Sequence, residues 1–238
     1  SSSPCFCQFV GSFNHGVASG DPLPGSVIIW TKLTPRISMT TGFADNLIVD
    51  WRVSTNALDL TSDSLPPHNG TAYAKAETDF TVKVDVKNLV QGKTYYYAFY
   101  AGAARSPVGR FRVPLSWKTP LQELRYALFS CANWGWGYFN AYDVASRLDL
   151  DFWLHLGDFI YEYGPEDHYP YPTMAVRYGP EPGGLQPPHE IVTLDDYRRR
   201  FALYREDPGL QALSAAAPVI AVWDDHEFAN NPWVDGAM

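Results

Sequence analysis

Three apolar segments in the second half of this 238-residue chain each stop at a small cluster of polar residues, and that pattern limits the fold more than any other feature. The longest is Phe152-Trp153-Leu154-His155-Leu156, followed by Gly157-Asp158-Phe159-Ile160-Tyr161-Glu162. An apolar run of this length with broken alternation fits a strand covered on both faces. Arg125-Tyr126-Ala127-Leu128-Phe129 runs into Ser130-Cys131-Ala132-Asn133. Val219-Ile220-Ala221-Val222-Trp223 runs into Asp224-Asp225-His226-Glu227. In open α/β sheets, ligands lie just beyond the carboxyl ends of such strands. The three ends would therefore deliver Cys131, Asp158, Tyr161, Asp225 and His226 to one rim.

Each of these residues has a plain and a chemical reading. Asp158 after a strand fits a helix N-cap, yet in Gly-Asp-x-x-Tyr its two oxygens can also bridge two cations. Tyr161 can pack at the strand end, or act as a hard anionic ligand whose pKa a cation lowers; Tyr163 and Tyr197 are its rivals. Cys131 is an inert core residue unless a nearby cation stabilises its thiolate. Asn133 offers a carbonyl to a metal or an amide to a phosphate. Adjacent Asp224 and Asp225 repel each other, a cost that a bound cation would offset. His226, with a reference pKa near ~6.5, can protonate a leaving oxygen or orient a phosphate. Glu227 reads as a solvated side chain. His15, His68, His155, His168 and His189 read as structural or surface residues.

Ahead of these motifs the pattern is different. Segments 26–31, 47–53, 80–86, 94–100 and 108–113, with a weaker one at 72–76, read as short strands separated by Gly, Pro and Asn turns. That spacing predicts an immunoglobulin- or fibronectin-like β-sandwich over 13–114, after a tail at 1–12. Leu89 is placed as a packing corner. Residues 114–120 read as a linker. Strands then alternate with helices, which predicts an α/β layer structure over 121–238. The helices are expected at 140–148, capped by Asn140, at 193–205, capped by Thr193, and at 210–216. On the second of these, Leu194, Tyr197, Phe201 and Tyr204 are expected to form the buried face. Residues 162–188, rich in Pro, Gly and Tyr, read as a long substrate-facing loop.

The net charge of −8 and the lack of a basic cluster beyond Arg198-Arg199-Arg200 argue against a nucleic-acid partner. One of these arginines, Arg198, can grip a phosphate through its fork of donors. No apolar run approaches the ~20 residues of a membrane span. The start Ser1-Ser2-Ser3-Pro4 has no signal-peptide pattern, so a cytosolic protein or a mature, processed form is expected. Cys5 and Cys7 are too close for an ordinary bridge with each other. Asn69-Gly70-Thr71 fits an N-glycosylation acceptor in a polar turn.

Taken in order, the motifs resemble the PhoD-type alkaline phosphatases and PhoD-like phosphodiesterases, within the wider metallophosphoesterase group. His15-Gly16-Val17-Ala18-Ser19-Gly20-Asp21-Pro22, followed by Val27-Ile28-Ile29-Trp30-Thr31, is similar to the family's opening signature. Phe129–Asn133, Leu156–Tyr163, Tyr197–Arg205 and Trp223–Glu227 are similar to its catalytic motifs. The resemblance implies a two-domain α+β protein: the sandwich, then the N-terminal portion of a four-layer αββα metallophosphoesterase domain, truncated at its C-terminus. It also implies an Fe(III) and Ca(II) centre, with Cys131, Asp158 and Tyr161 on the iron side and Asp158 as the bridge. Asp225 falls at the second metal and His226 beside the leaving group. The implied substrates are phosphate monoesters and diesters. Phospholipase D activity, or a binding module that keeps the fold without the metals, is the alternative. The implied location is periplasmic or extracellular, and the remaining ligands would come from the missing part of the domain or from a second chain that carries it.

Overall fold

The computed structural model describes residues 10–36, 46–62, 64–164, 177 and 184–237. Cys5, Cys7 and most of the loop expected over 162–188 lie outside the described residues. The chain divides into two compact units, Ser1–Leu124 with Ser214–Pro218, and Arg125–Leu213 with Val219–Met238.

The first unit contains β1 (Gly11–Ser12), β2 (Val17–Leu23), β3 (Ser26–Lys32), β4 (Thr34–Pro35), β5 (Asn46–Ser54), β6 (His68–Lys75), β7 (Thr81–Val86), β8 (Thr94–Ala101), β9 (Ala104–Arg105) and β10 (Gly109–Arg112). Branched and aromatic residues alternating with polar ones suit a pleated, half-buried surface. In β3, accordingly, Val27, Ile29 and Thr31 are buried while their neighbours are half-exposed. An antiparallel sheet runs β10-β8-β5-β6, with β9 on β8. Strands β2, β3 and β7 make a second antiparallel layer. Val27, Ile29 and Val82 from this layer share one core with Val53, Tyr97, Phe99 and Phe111 from the other. Truncating Phe111 to alanine there would cost about 3–5 kcal/mol. Leu89 is buried at the corner, its N–H donating to the Gly25 carbonyl at 3.0 Å.

The Asn69-Gly70-Thr71 triplet is not in a turn. It lies within β6, opposite Arg52, Trp51 and Asp50. The glycine is required by packing, because a Cβ on Gly70 would come within 2.8 Å of the Trp51 indole.

The second unit contains β11 (Tyr126–Phe129), α1 (Asn140–Ala145), β12 (Phe152–His155), α2 (Leu194–Arg205), α3 (Pro208–Ala216) and β13 (Val219–Ala221); α3 from Ser214 on groups with the first unit. The three strands are parallel and level. Phe129 lies opposite His155, and His155 opposite Ala221. One face of this sheet packs on α1. The Tyr142 ring sits 4.7 Å from Phe129, 6.1 Å from Trp153 and 6.4 Å from His155, centroid to centroid. Among the described residues the other face is bare at β11 and β13. Tyr126 and Leu128 are each 54% exposed and Ile220 is 40% exposed. The strand read as covered on both faces, β12, is buried on one face and half-buried on the other, at Phe152 and Leu154. Successive side chains point to opposite faces, and the exposure falls on alternate residues along β11.

Two helix details also differ. Asn140 is not a cap. The Phe139 carbonyl already accepts the N–H groups of Tyr142 and Asp143, both at 3.1 Å, so the helix begins one residue early. Packing sets that boundary, since the buried Phe139 ring lies 5.0 Å from Tyr142 and 6.0 Å from Tyr204. In α2 the cap is Thr193, in a capping box with Asp196: Asp196 N–H donates to Thr193 Oγ1 at 3.2 Å and Thr193 N–H to Asp196 Oδ2 at 3.0 Å. Its buried residues, however, are Asp196, Arg200, Leu203 and Tyr204, while Leu194 and Phe201 are exposed. Arg200 explains the rotation. Its fully buried guanidinium donates to the carbonyls of Tyr161 at 2.5 Å, Tyr163 at 2.9 Å, Gln186 and Pro187 at 3.0 Å, and His189 at 3.1 Å. A charge so fully hydrogen-bonded can be buried where an unpaired one cannot.

Candidate metal centre

The level strand ends set the site. Beyond them, Leu156 N–H donates to Phe129 O at 2.9 Å, Cys131 N–H to Gly157 O at 3.2 Å, and Val222 N–H to His155 O at 3.0 Å. The three loops therefore leave the sheet tied to one another. Gly157 has φ 103°, and any Cβ on it would run into the Asp224 backbone, so a glycine is what lets the two loops touch. Cys131 at φ 57° and Asp158 at φ 53° take left-handed backbone that side chains rarely adopt.

Asp158 is buried and sits at the centre. Tyr161 Oη donates to its Oδ2 at 3.1 Å, and the backbone N–H of His226 approaches Oδ1 at 3.4 Å. The Cys131 thiol and the Asp225 carboxyl lie close enough to bear on its charge. Ligand atoms of Asp158, Asp225 and His226 all fall within 4.8 Å of one another. Cys131, Asp158, Tyr161, Asp225 and His226 are thus brought together. Of the three tyrosines, Tyr161 is the one bonded to Asp158. Tyr163 packs its ring against His226 at 5.2 Å, and Tyr197 Oη donates to the Phe228 carbonyl.

The electrostatics follow from burial and crowding. Burial pushes the Asp158 carboxyl above its usual pKa, more than the His226 charge and the Cys131 and Tyr161 hydrogen bonds pull it down. Asp225 goes the other way. Burial raises it, but the Asn231 N–H at 2.7 Å and the His226 charge outweigh that and hold it low. Burial lowers His226, yet the hydrogen bond and charge of Glu162, with Asp158 and Asp225 beyond, leave it raised. The centre therefore gathers acidic oxygens, a phenol and a thiol in a small space. That donor set fits hard or trivalent cations, which would deprotonate the sulfur and the phenol and relieve the carboxylate repulsion.

The other two sequence candidates are placed differently. Asn133 is buried, and its Oδ1 accepts the Gly135 N–H at 2.9 Å, capping a 3-10 turn over Trp134–Trp136. Arg198 is half-buried on α2, on a different face from Arg200.

Two residues important to the geometry escaped the sequence reading. Glu227, read there as solvated, accepts the N–H groups of Asp158 at 3.1 Å, Phe159, and Asp224 at 2.8 Å. One carboxylate thereby ties the Asp158 loop to the Asp225 loop. Glu162 is buried against His226. Each motif ends in a glutamate directly after its candidate ligand or catalytic residue, but nothing in the local sequence names the partner that glutamate takes.

A β-stranded unit followed by a parallel sheet with this polar rim is the pattern of one phosphatase family. The chain belongs to the PhoD-like phosphatase family, whose N-terminal domain matches residues 8–114 and whose phosphatase domain matches residues 126–238. It is 38% identical over 220 residues to alkaline phosphatase D of Bacillus subtilis (strain 168), a match covering 92% of this chain. The chain spans 36% of the length of that curated relative. A solved structure of PhoD superposes with a TM-score of 0.79 at 37% identity, over 97% of this chain and 42% of that one.

Proposed function

We propose that this chain carries the first part of a phosphoester hydrolase that acts on phosphate mono- and diesters through an Fe(III) and Ca(II) centre. In this reading residues 13–114 are an accessory sandwich and residues 121–238 are the N-terminal portion of the catalytic domain. The observation that carries it is the meeting of a thiol, two carboxylates, a phenol and an imidazole at Asp158, from three strand ends. Cys131, Asp158 and Tyr161 would hold the iron, and Asp225, with Asp158 shared, the calcium. When bound, such ions offset phosphoryl charge and supply an activated water at neutral pH.

The chain's own residues do the rest. Asp158, fixed by hydrogen bonds from two loops, keeps both of its oxygens directed into the centre. His226, whose pKa its acidic neighbours raise, is the group that would donate a proton to the departing alcohol oxygen as the P–O bond breaks. Arg198 and Asn133 are the donors assigned to the phosphate oxygens. With 36% of the relative's length spanned, the further ligands and the activity itself belong to the whole protein, as a continuation or a second chain. We place its action outside the cytoplasm, in keeping with the family resemblance. No helix among the described residues is long and apolar enough to cross a membrane.

Elemental analysis of the whole protein tests the centre: iron and calcium are expected, with a visible charge-transfer band that Tyr161→Phe abolishes. Hydrolysis of a nitrophenyl phosphate and its bis-ester supports the reading. Head-group release from phosphatidylcholine with neither of these would point to a phospholipase D. Metal-free protein without hydrolysis would leave a binding module.

A further inference from the structure

Glu162 follows the Asp158–Tyr161 loop and is 2% exposed. Its carboxylate serves two partners. Oε2 lies 2.8 Å from His226 Nδ1, and Oε1 accepts the Asn230 N–H at 2.6 Å. A carboxylate in this position accepts, so Nδ1 is the nitrogen that carries the hydrogen. His226 Nε2 makes no hydrogen bond among the described residues. The ring plane is held as well. Tyr161 packs over it with centroids 4.2 Å apart and planes inclined by 32°, while Tyr163 meets it edge-on at 65°.

We infer that Glu162 is a positioning residue: it locks His226 as the Nδ1–H form, so that Nε2 is the nitrogen offered to the phosphate ester. The functional half of this rests on the phosphoesterase reading; the tautomer does not. An unconstrained histidine side chain prefers the opposite, Nε2–H, form. In the reaction, the proton on Nε2 of the imidazolium passes to the alcohol oxygen as the P–O bond breaks. The ring is left neutral with its hydrogen on Nδ1, the form that Glu162 stabilises. By holding the Asn230 N–H with its second oxygen, the same carboxylate also closes the loop that bears Asp225 and His226. Two loops that are remote in sequence are thereby registered at one side chain.

The tautomer can be read directly. In the 238-residue chain labelled with 15N-histidine, long-range 1H–15N correlation separates protonated from bare ring nitrogens, and His226→Gln identifies the signals. At a pH where the ring is neutral, His226 is expected to carry hydrogen on Nδ1 with Nε2 bare. Glu162→Gln keeps this pattern, because the amide oxygen still accepts, whereas Glu162→Ala shifts the ring toward Nε2–H. In the metal-loaded whole enzyme, Glu162→Ala is expected to lower kcat about 10- to 100-fold with KM little changed, and Glu162→Gln to recover most of that loss. An Nε2–H ring in the parent overturns the inference. So does an unchanged pattern in a folded Glu162→Ala chain, or an unchanged kcat. Should Glu162→Ala not fold, the parent and Glu162→Gln spectra decide it. Absence of hydrolysis in the parent enzyme would remove the phosphoesterase reading and leave the tautomer result standing.

Discussion

Cys131 and Asp158 take φ values of 57° and 53°, a backbone that costs a non-glycine residue of order 1–3 kcal/mol. The fold would be easier to form with glycine at both places. Exposed Cys131 gives the cleaner test. Cys131→Gly should be more stable than Cys131→Ala by about 1 kcal/mol in urea denaturation, even though both lose the sulfur. His155 makes a second prediction at this scale. Burial lowers its pKa from 6.5 to about 4, with the Glu227 charge only partly opposing, and its ring lies 3.1 Å from Tyr142 Oη. The folded state therefore favours the neutral ring. Its contribution is complete above pH ~6.5 and is lost as the pH falls from there toward about 4, by up to about 1.4 kcal/mol per unit. Denaturation curves across that range should be flatter for His155→Gln than for the parent. Which side chains stand at the rim was legible in advance, because a cysteine or an aspartate ending an apolar run has few places to go. Glu162 and Glu227 were not legible. Their partners in the opposite loop lie 64 to 69 residues away, Glu227's being backbone N–H groups and Glu162's a histidine ring and an N–H, which leave no mark on the local pattern.

At the level of elements, α2 shows where such reading stops. Its cap was evident, since a threonine followed three residues later by an acid is a local signal. Its buried side was not, because Arg200 goes inward on the strength of carbonyls supplied by Tyr161, Tyr163, Gln186, Pro187 and His189. Apolar periodicity alone pointed to Leu194 and Phe201 instead. Arg200→Ala should cost more than about 3 kcal/mol, since it strands several buried acceptors at once. Arg200→Lys should recover little, because an ammonium cannot span the same fork. Chemical denaturation of the two variants checks both statements. The exposed strand faces were missed for a related reason. A run such as Tyr126–Phe129 looks alike whether its second face is covered or bare.

For the molecule as a whole, the change from closely spaced strands to alternating strands and helices announced two different architectures. What it could not announce was the bare apolar side of the β11-β12-β13 sheet, with Leu128 at 54% and Ile220 at 40% exposure. Patches of this kind drive association. The isolated chain is expected to sediment faster as its concentration rises, and Leu128→Gln with Ile220→Gln to weaken that trend without altering the far-ultraviolet spectrum. A mass that stays monomeric at all concentrations would count against this.

The pairing of Phe129 with His155, and of His155 with Ala221, keeps three chain segments in step at one height. Substitution is therefore the mild perturbation here and a change of length the severe one. A single residue added within Phe152–His155 would turn Trp153 and His155 outward, bring Leu154 in, and swing Asp158 away from its neighbours. An insertion at the turn around Gly92, between β7 and β8, would do none of this. Gene libraries with random one-codon insertions should recover folded protein from that turn and almost none from those four positions.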